Sequence, residues 1–332
     1  MQITKIPKGN GKFRTIYCPN AQEKNALTLF VPSLNQMALE TDAHKVAHGF
    51  LPGRSIVTNA LAHVGDWQIT LHFDFKDFFD SVTPALAAEV PKKAGGNHQF
   101  RYHFTAAWNL AFPDGAARQG LPTSPAIANI AAAPFDAAVI ALRDSLTPKR
   151  RILGSRGPAF LYTRYADDLT FSMNSEVVAA KLLAEIPALA AAHGFAINTA
   201  KTTRQHARAG HRIVTGIAVT PRGIVPTRQA RRKLRAASHQ IKTGLRRRNL
   251  RKILTKQTES YRRDDPFTMH RLGDILRAQW RGLASFIRLV PPHHRTDHPT
   301  KPTATANPNK KTHTATPAIP MPFGIFNRKI TV

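Results

Sequence analysis

The sequence predicts an α+β fold with a helical, strongly basic C-terminal part, on three observations. Runs rich in β-branched and aromatic residues lie on either side of tight turns, which is the pattern of antiparallel hairpins. Between them stand long Ala- and Leu-rich stretches with helical start and stop signals. Charge is partitioned as well: residues 201–332 carry 29 Lys and Arg against five acids, a net +24, whereas residues 1–200 carry 19 against 15. Strands and helices that alternate with antiparallel hairpins define the α+β class, and the basic segment extends it.

The elements follow in order. Lys5 to Pro19 alternates around Gly9-Asn10-Gly11 and reads as a β-hairpin bearing Lys8, Lys12 and Arg14. Ala21 to Glu40 reads as a helix bent at Pro32. Trp67 to Phe75 (WQITLHFDF) reads as a strand. Leu86 to Val90, Phe104 to Leu110 and Ser124 to Leu142 read as helices, the last with Pro125 in its first turn, where proline is tolerated. Phe160 to Arg164 and Leu169 to Met173 read as strands flanking Tyr165-Ala166-Asp167-Asp168. Glu176 to His193 is a helix stopped by Gly194. Strands are expected at Ala196-Ile197-Asn198 and from Ile213 to Val219, and basic helices after them.

With 332 residues, 42% of them hydrophobic and 18 of them Phe, the chain can bury a real core, which excludes a disordered basic compactor. A formal charge of +28 requires a polyanionic partner, and a nucleic-acid phosphate backbone fits best. The lone Cys18 excludes an internal disulfide framework and a cysteine-based zinc cluster, and it suits a reducing cytosol. No run of 18 apolar residues occurs and the N-terminus has no apolar h-region, so a cytoplasmic protein without signal peptide or membrane partner is expected. Arg228 to Lys256 holds twelve Lys and Arg and no acid, interleaved with Leu234, Ile241, Leu245, Leu250, Ile253 and Leu254, a basic helical pattern with a sparse apolar stripe. After Val290 the composition turns to Pro, Thr, Asn, His and Lys, with eight Pro in the last 42 residues, and this tail is expected to be disordered.

Three carboxylates carry the chemistry. Asp74 ends an apolar strand, and Asp167 and Asp168 sit in the turn between two others. Taken singly, each has an ordinary explanation as a cap or a solvated turn. Gathered at strand ends they cost too much to desolvate unless a cation neutralises them, and hard oxygen ligands suit Mg²⁺. Two such ions, about 4 Å apart, would activate an attacking oxygen and stabilise a leaving pyrophosphate.

The order of the motifs is more specific than any one of them. LHFDFKDFFDSV resembles the first catalytic strand of a reverse transcriptase, and RYADDLTFS resembles its catalytic hairpin. Between them, RQGLPTSPAIAN resembles the segment beneath the incoming nucleotide and template; after them, GFAINTAKT resembles the element offering a lysine near the pyrophosphate. The resemblance covers about residues 5–225 and implies a right-hand polymerase: fingers with the entry to the palm at 1–73, palm at 74–225, basic helical thumb at 226–290 and a disordered Pro/Thr-rich tail at 291–332. Asn59-Ala60-Leu61-Ala62-His63 and Val214-Thr215-Gly216 match the NAxxH and VTG signatures of the bacterial retron type.

That resemblance implies roles for individual residues. Asp74, Asp167 and Asp168 would hold two Mg²⁺, with the backbone carbonyl of Phe75 as a further oxygen. Phe79 would lie under the sugar and clash with a ribose 2′-OH. Gln119 and Gly120 would line the nucleotide site above Ser124, Pro125 and Asn129. Lys12 and Arg14 would neutralise the triphosphate, and Lys201 would protonate or screen the pyrophosphate. Asn59, His63, Val214, Thr215 and Gly216, together with Arg246, Arg247 and Arg248 of the thumb, would bind RNA. The implied partners are dNTPs, a cognate structured non-coding RNA and its branched RNA–DNA product, and an effector or toxin protein encoded nearby in anti-phage defence. A group II intron or other defence-associated reverse transcriptase is the alternative, and a scaffold that sequesters a toxin is another. The family usually carries several helices before the first hairpin, whereas this chain begins almost directly at it.

Overall fold

In the computed structural model the described residues are 1–9, 11–93, 107–147, 157–242, 281 and 284–285. By compactness the chain divides into Met1–Thr296 and Asp297–Val332, and every described residue belongs to the first unit. The expected tail, Arg246 to Arg248 and the end of the basic segment lie outside the described residues.

β1 (Gln2–Gly9) and β2 (Lys12–Cys18) form the expected antiparallel hairpin, with Ile3 opposite Tyr17 and Ile6 opposite Arg14. α1 (Ala21–Leu39) starts at a capping box: Asn20 accepts from the Glu23 amide at 2.9 Å while Glu23 accepts from the Asn20 amide at 2.8 Å. Its buried residues Leu27, Phe30, Leu34 and Ala38 recur at helical spacing, and Pro32 lies inside. Short elements follow: α2 (Ala43–Val46), α3 (Ile56–Ala62), β3 (Ile69–Asp74), α4 (Phe78–Ser81) and α5 (Pro84–Lys93). Residues 107–111 are helical, the described part of the helix expected to start at Phe104.

α6 (Ser124–Leu146) is longer than expected and carries Pro125 in its first turn. Among the described residues it is the one helix long and apolar enough to cross a bilayer, and 61% of its most apolar window is buried inside the protein. The Ala-rich run 126–133 lets neighbouring elements approach closely, so α6 packs against α1, α2 and α5 as the central helix of the core. β4 (Leu161–Tyr165), β5 (Asp168–Met173), α7 (Glu176–Ala192), a 3₁₀ turn (Thr199–Lys201) and β6 (Thr203–His206) come next, with Gly194 at φ +79° ending α7 as expected.

The central sheet runs β4-β5-β3-β6, all antiparallel. β3 is interior and buried on both faces except at His72, which accounts for its nearly continuous apolar run. Phe73 meets Phe171 edge-on at 5.5 Å, and burial of such a ring stabilises by about 1.5–3 kcal/mol. The expected strand at 196–198 is reduced to one isolated bridge between Phe75 and Ile197. The expected strand from Ile213 to Val219 is two strands, β7 (Arg212–Val214) and β8 (Ile217–Thr220), joined by a two-residue turn with Thr215 at φ +45° and Gly216 at φ +79°. β9 (Gly223–Pro226) completes this small sheet, which α3 covers through a separate core of Ala60, Val214, Ile217, Val219 and Ile224. α8 (Arg228–Lys242) begins the basic segment as a helix.

Candidate active site

Antiparallel pairing brings the three carboxylates together. Asp74, the last residue of β3, stands opposite Asp168, the first of β5, and Asp167 lies in the turn between β4 and β5. The Phe75 amide donates to the Asp167 carbonyl at 3.0 Å and fixes the turn against the strand end. The ladder to β6 stops at His72–Thr203, so the turn that precedes β6 folds beside Asp74 instead. The Asn198 amide donates to the Asp74 carbonyl at 2.8 Å, and Lys201 Nζ donates to both Asp74 carboxylate oxygens at 2.7 and 2.8 Å.

Desolvation and the neighbouring charges set the electrostatics of Asp167 and Asp168. Desolvation pushes the Asp167 carboxyl up, Asp74 adds to this, and Lys201 and Arg14 pull the other way. Asp168 is pushed up to about 6 by desolvation and then by Asp167 and Asp74, although its side chain keeps contact with solvent. The hydrogen bond to Asp74 raises Lys201. Among the described residues no three or more His, Cys, Asp or Glu side chains stand together so as to hold a metal ion. The donor set nonetheless fits divalent cations: oxygen-only ligands, Asp167 and Asp168 carboxyls pushed up by desolvation and by neighbouring carboxylates, and an ammonium resting on Asp74 where a cation would bind.

A buried ion pair sets the turn. Arg164 and Asp136 are both fully buried, with Arg164 Nη2 at 2.6 Å and Nε at 3.0 Å from the Asp136 carboxylate, which also accepts from the Tyr162 hydroxyl at 2.7 Å. Arg164 Nη1 donates to the Ala166 carbonyl at 3.3 Å, where Ala166 occupies φ +57°, and to Asn129 Oδ1 at 3.0 Å; the Asn129 amide in turn donates to the Gly49 carbonyl. A Cβ on Gly49 would lie 2.6 Å from the Ala166 nitrogen, so glycine is needed for this approach. Arg164 and Asp136 escaped the sequence reading. Their one signal was a charge inside an apolar helical run, FDAAVI, and inside a strand run, LYTRY.

Other expected site residues receive different work. The Phe75 side chain is core, stacked on Phe195 at 4.7 Å and Phe78 at 5.3 Å, and only its backbone faces the site. Phe79 is half-buried, with the rings of Phe78 and Phe50 as neighbours. Gln119 accepts from the Tyr17 amide at 2.8 Å, and a Cβ on Gly120, at φ +106°, would lie 2.3 Å from the Tyr17 carbonyl. Gly120 is therefore required for the seating of the first hairpin. Arg118 secures the same joint, lying over the Tyr17 ring and pairing with Asp80 at 2.5 Å. Arg14 is exposed on β2, and the Lys12 side chain lies outside the described residues.

The RNA contacts expected of Asn59, His63 and Val214 are corrected, because all three are fully buried. His63 bridges Ser172 at 2.8 Å and Thr163 at 2.7 Å, and Arg212 donates to its carbonyl at 3.1 Å. Asn59 reaches Thr215, which bonds the Ile56 carbonyl. The NAxxH and VTG segments thus pack on each other and join the small sheet to the central one. Of Asn59, His63, Val214, Thr215 and Gly216, the last two reach the surface.

Residues 6–243 match the family described as reverse transcriptase (RNA-dependent DNA polymerase). The retron Mx162 reverse transcriptase of Myxococcus xanthus is 35% identical over 277 residues, covering 72% of this chain and 52% of that protein. The chain thus spans about half the length of that relative. The retron Ec86 reverse transcriptase of Escherichia coli is 30% identical over 235 residues, covering 70% of this chain and 67% of the other. Among solved structures, the telomerase of Candida albicans in complex with a fragment of telomeric RNA gives a TM-score of 0.46 at 11% identity over 86% of this chain and 54% of that one, too distant to bear on mechanism. With 238 consecutive residues inside the family match, the chain belongs to the reverse transcriptases, in their bacterial retron branch.

Proposed function

We propose that this chain copies part of a cognate structured non-coding RNA into single-stranded DNA, starting from a 2′-OH of that RNA so that the product is a branched RNA–DNA. The observation that carries the reading is the meeting of Asp74 with Asp167 and Asp168 at one end of β3 and β5, with Lys201 on one side and Arg14 within electrostatic reach. Asp74, Asp167, Asp168 and the Phe75 carbonyl would hold two Mg²⁺, which when bound supply activation of the attacking hydroxyl and charge neutralisation at the leaving pyrophosphate. Lys201 donates its Nζ proton toward the pyrophosphate, and Arg14, with Lys12, counters the triphosphate charge. Phe79 excludes a ribose 2′-OH and selects dNTPs. The fingers span 1–73, the palm 74–225 and the basic thumb 226–290, with α8 gripping duplex phosphates. The protein acts in the cytoplasm, and its RNA–DNA product works with an effector protein in anti-phage defence.

The test is co-expression with the RNA encoded beside the gene, followed by isolation of nucleic acid in which DNA is joined to RNA through a 2′-linkage. The wild-type protein yields the branched product and Asp167→Asn/Asp168→Asn yields none. Branched product from the double variant would refute the reading.

A further inference from the structure

One aromatic residue outside the expected site is held in a strained conformation beside it. Phe50 sits at φ +64°, in the left-handed region that non-glycine residues avoid, and is 39% exposed, unusual for phenylalanine. Its ring lies 6.0 Å from that of Phe79, tilted by 44°, and Phe79 also meets Phe78 at 5.7 Å and 49°. Phe78 is itself fixed in the aromatic core with Phe75 and Phe195. The Phe79 ring is therefore in contact with one buried ring and one exposed ring.

The backbone of Phe50 is tied to the catalytic turn. The His48 amide donates to the Arg164 carbonyl at 2.7 Å, Ala47 bridges Arg164, Asn129 holds the Gly49 carbonyl at 3.0 Å, and Gly49 abuts Ala166. Strain of this kind persists where the surroundings over-determine it, and it clusters at functional sites. We propose that Phe50 is a positioning residue for sugar selection: its exposed ring braces Phe79, and the anchoring of its neighbour Gly49 against Ala166 keeps that brace in register with the catalytic turn. The proposal rests on the reading of Phe79 as the residue that excludes the 2′-OH.

The experiment compares kcat/KM for a dNTP and the matching rNTP on a primed RNA template with Mg²⁺, using the full chain. Phe79→Ala should lower the ratio, and Phe50→Ala should lower it by about threefold to tenfold, the worth of one aromatic contact. The change should appear as a rise in ribonucleotide kcat/KM. Phe50→Tyr, which keeps the ring, should retain the wild-type ratio, and the Phe50→Ala/Phe79→Ala double variant should match Phe79→Ala alone. Phe50→Leu carries the same expectation as Phe50→Ala if the latter fails to fold. If Phe79→Ala lowers the ratio while Phe50→Ala and Phe50→Leu leave it at the wild-type value, the brace is wrong and the role of Phe79 stands. If Phe79→Ala leaves the ratio unchanged, the role of Phe79 fails and takes the brace with it. An additive loss in the double variant would also overturn the proposal, because Phe50 would then act independently of Phe79.

Discussion

Replacing Asp136 by Ala leaves the Arg164 guanidinium buried with no counter-charge. Both side chains are fully excluded from solvent, and Arg164 spends its Nε and Nη2 on Asp136. Loss of one partner from such a pair costs about 3–5 kcal/mol, because the desolvated charge remains. At about 2–4 °C per kcal/mol for a domain of this size, the melting temperature should fall by roughly 6–20 °C. Removing both charges, as in Asp136→Leu/Arg164→Met, should recover part of that stability, since no uncompensated charge remains while the Tyr162 hydroxyl, Asn129 Oδ1 and the Ala166 carbonyl lose a partner. Activity should stay low in the double variant, because the Ala166 carbonyl and Asn129 lose their donor. The assay pairs thermal melting with primer extension on RNA. A single variant that melts within about 1 kcal/mol of wild type would refute the view that each charge is held only by its partner, and a double variant that regains both stability and activity would refute the view that the pair sets the turn.

Two further outcomes follow from the buried groups and the hairpin seat. Burial holds His48 and His72 down at about 4 and His63 well below its ordinary value, so all three are neutral when folded and titrate near 6.5 when unfolded. Their stability contribution is whole above that pH and falls as acid protonates the unfolded chain, by about 1.4 kcal/mol each between pH 7.5 and 5.5. Asp168, raised to about 6, acts in the opposite direction, discounted for its exposure, so denaturant unfolding should report a net loss of about 3 kcal/mol, and equal stability at the two pH values would contradict the burial. Gly120→Ala forces a Cβ into the Tyr17 carbonyl at φ +106° and should unseat the first hairpin while the central sheet stays folded. Hydrogen exchange at the Tyr17 amide, bonded to Gln119, should rise by about tenfold or more, and unchanged protection would count against the seat.

Much of the site was legible because its signals are local. Asp74 ends a strand whose residue types announce it, and Asp167-Asp168 lie where a strand pattern breaks and resumes, so antiparallel pairing alone brings them together. The ionic network was not legible, because Asp136 and Arg164 are 28 residues apart and a charge in sequence looks like surface until its partner is known. His63 and Asn59 misled for the same reason: polar side chains matched across the interior read as contacts waiting for a ligand. The run from Ile213 to Val219 is apolar enough to look like one strand, and only the left-handed Thr215-Gly216 pair turns it into a hairpin. α2, α3, α4, β6 and β9 have seven residues or fewer, too short for any periodicity to mark them.

The most direct test of the account is extension of a primer annealed to RNA by the purified protein with dNTPs and Mg²⁺, run beside Asp74→Asn and Asp167→Asn. The account predicts DNA synthesis by the wild type, and for Asp74→Asn and Asp167→Asn a loss of about 10³-fold or more in kcat with folding intact, the scale of removing groups that stabilise transition-state charge. Wild-type rates from Asp74→Asn or Asp167→Asn would contradict it.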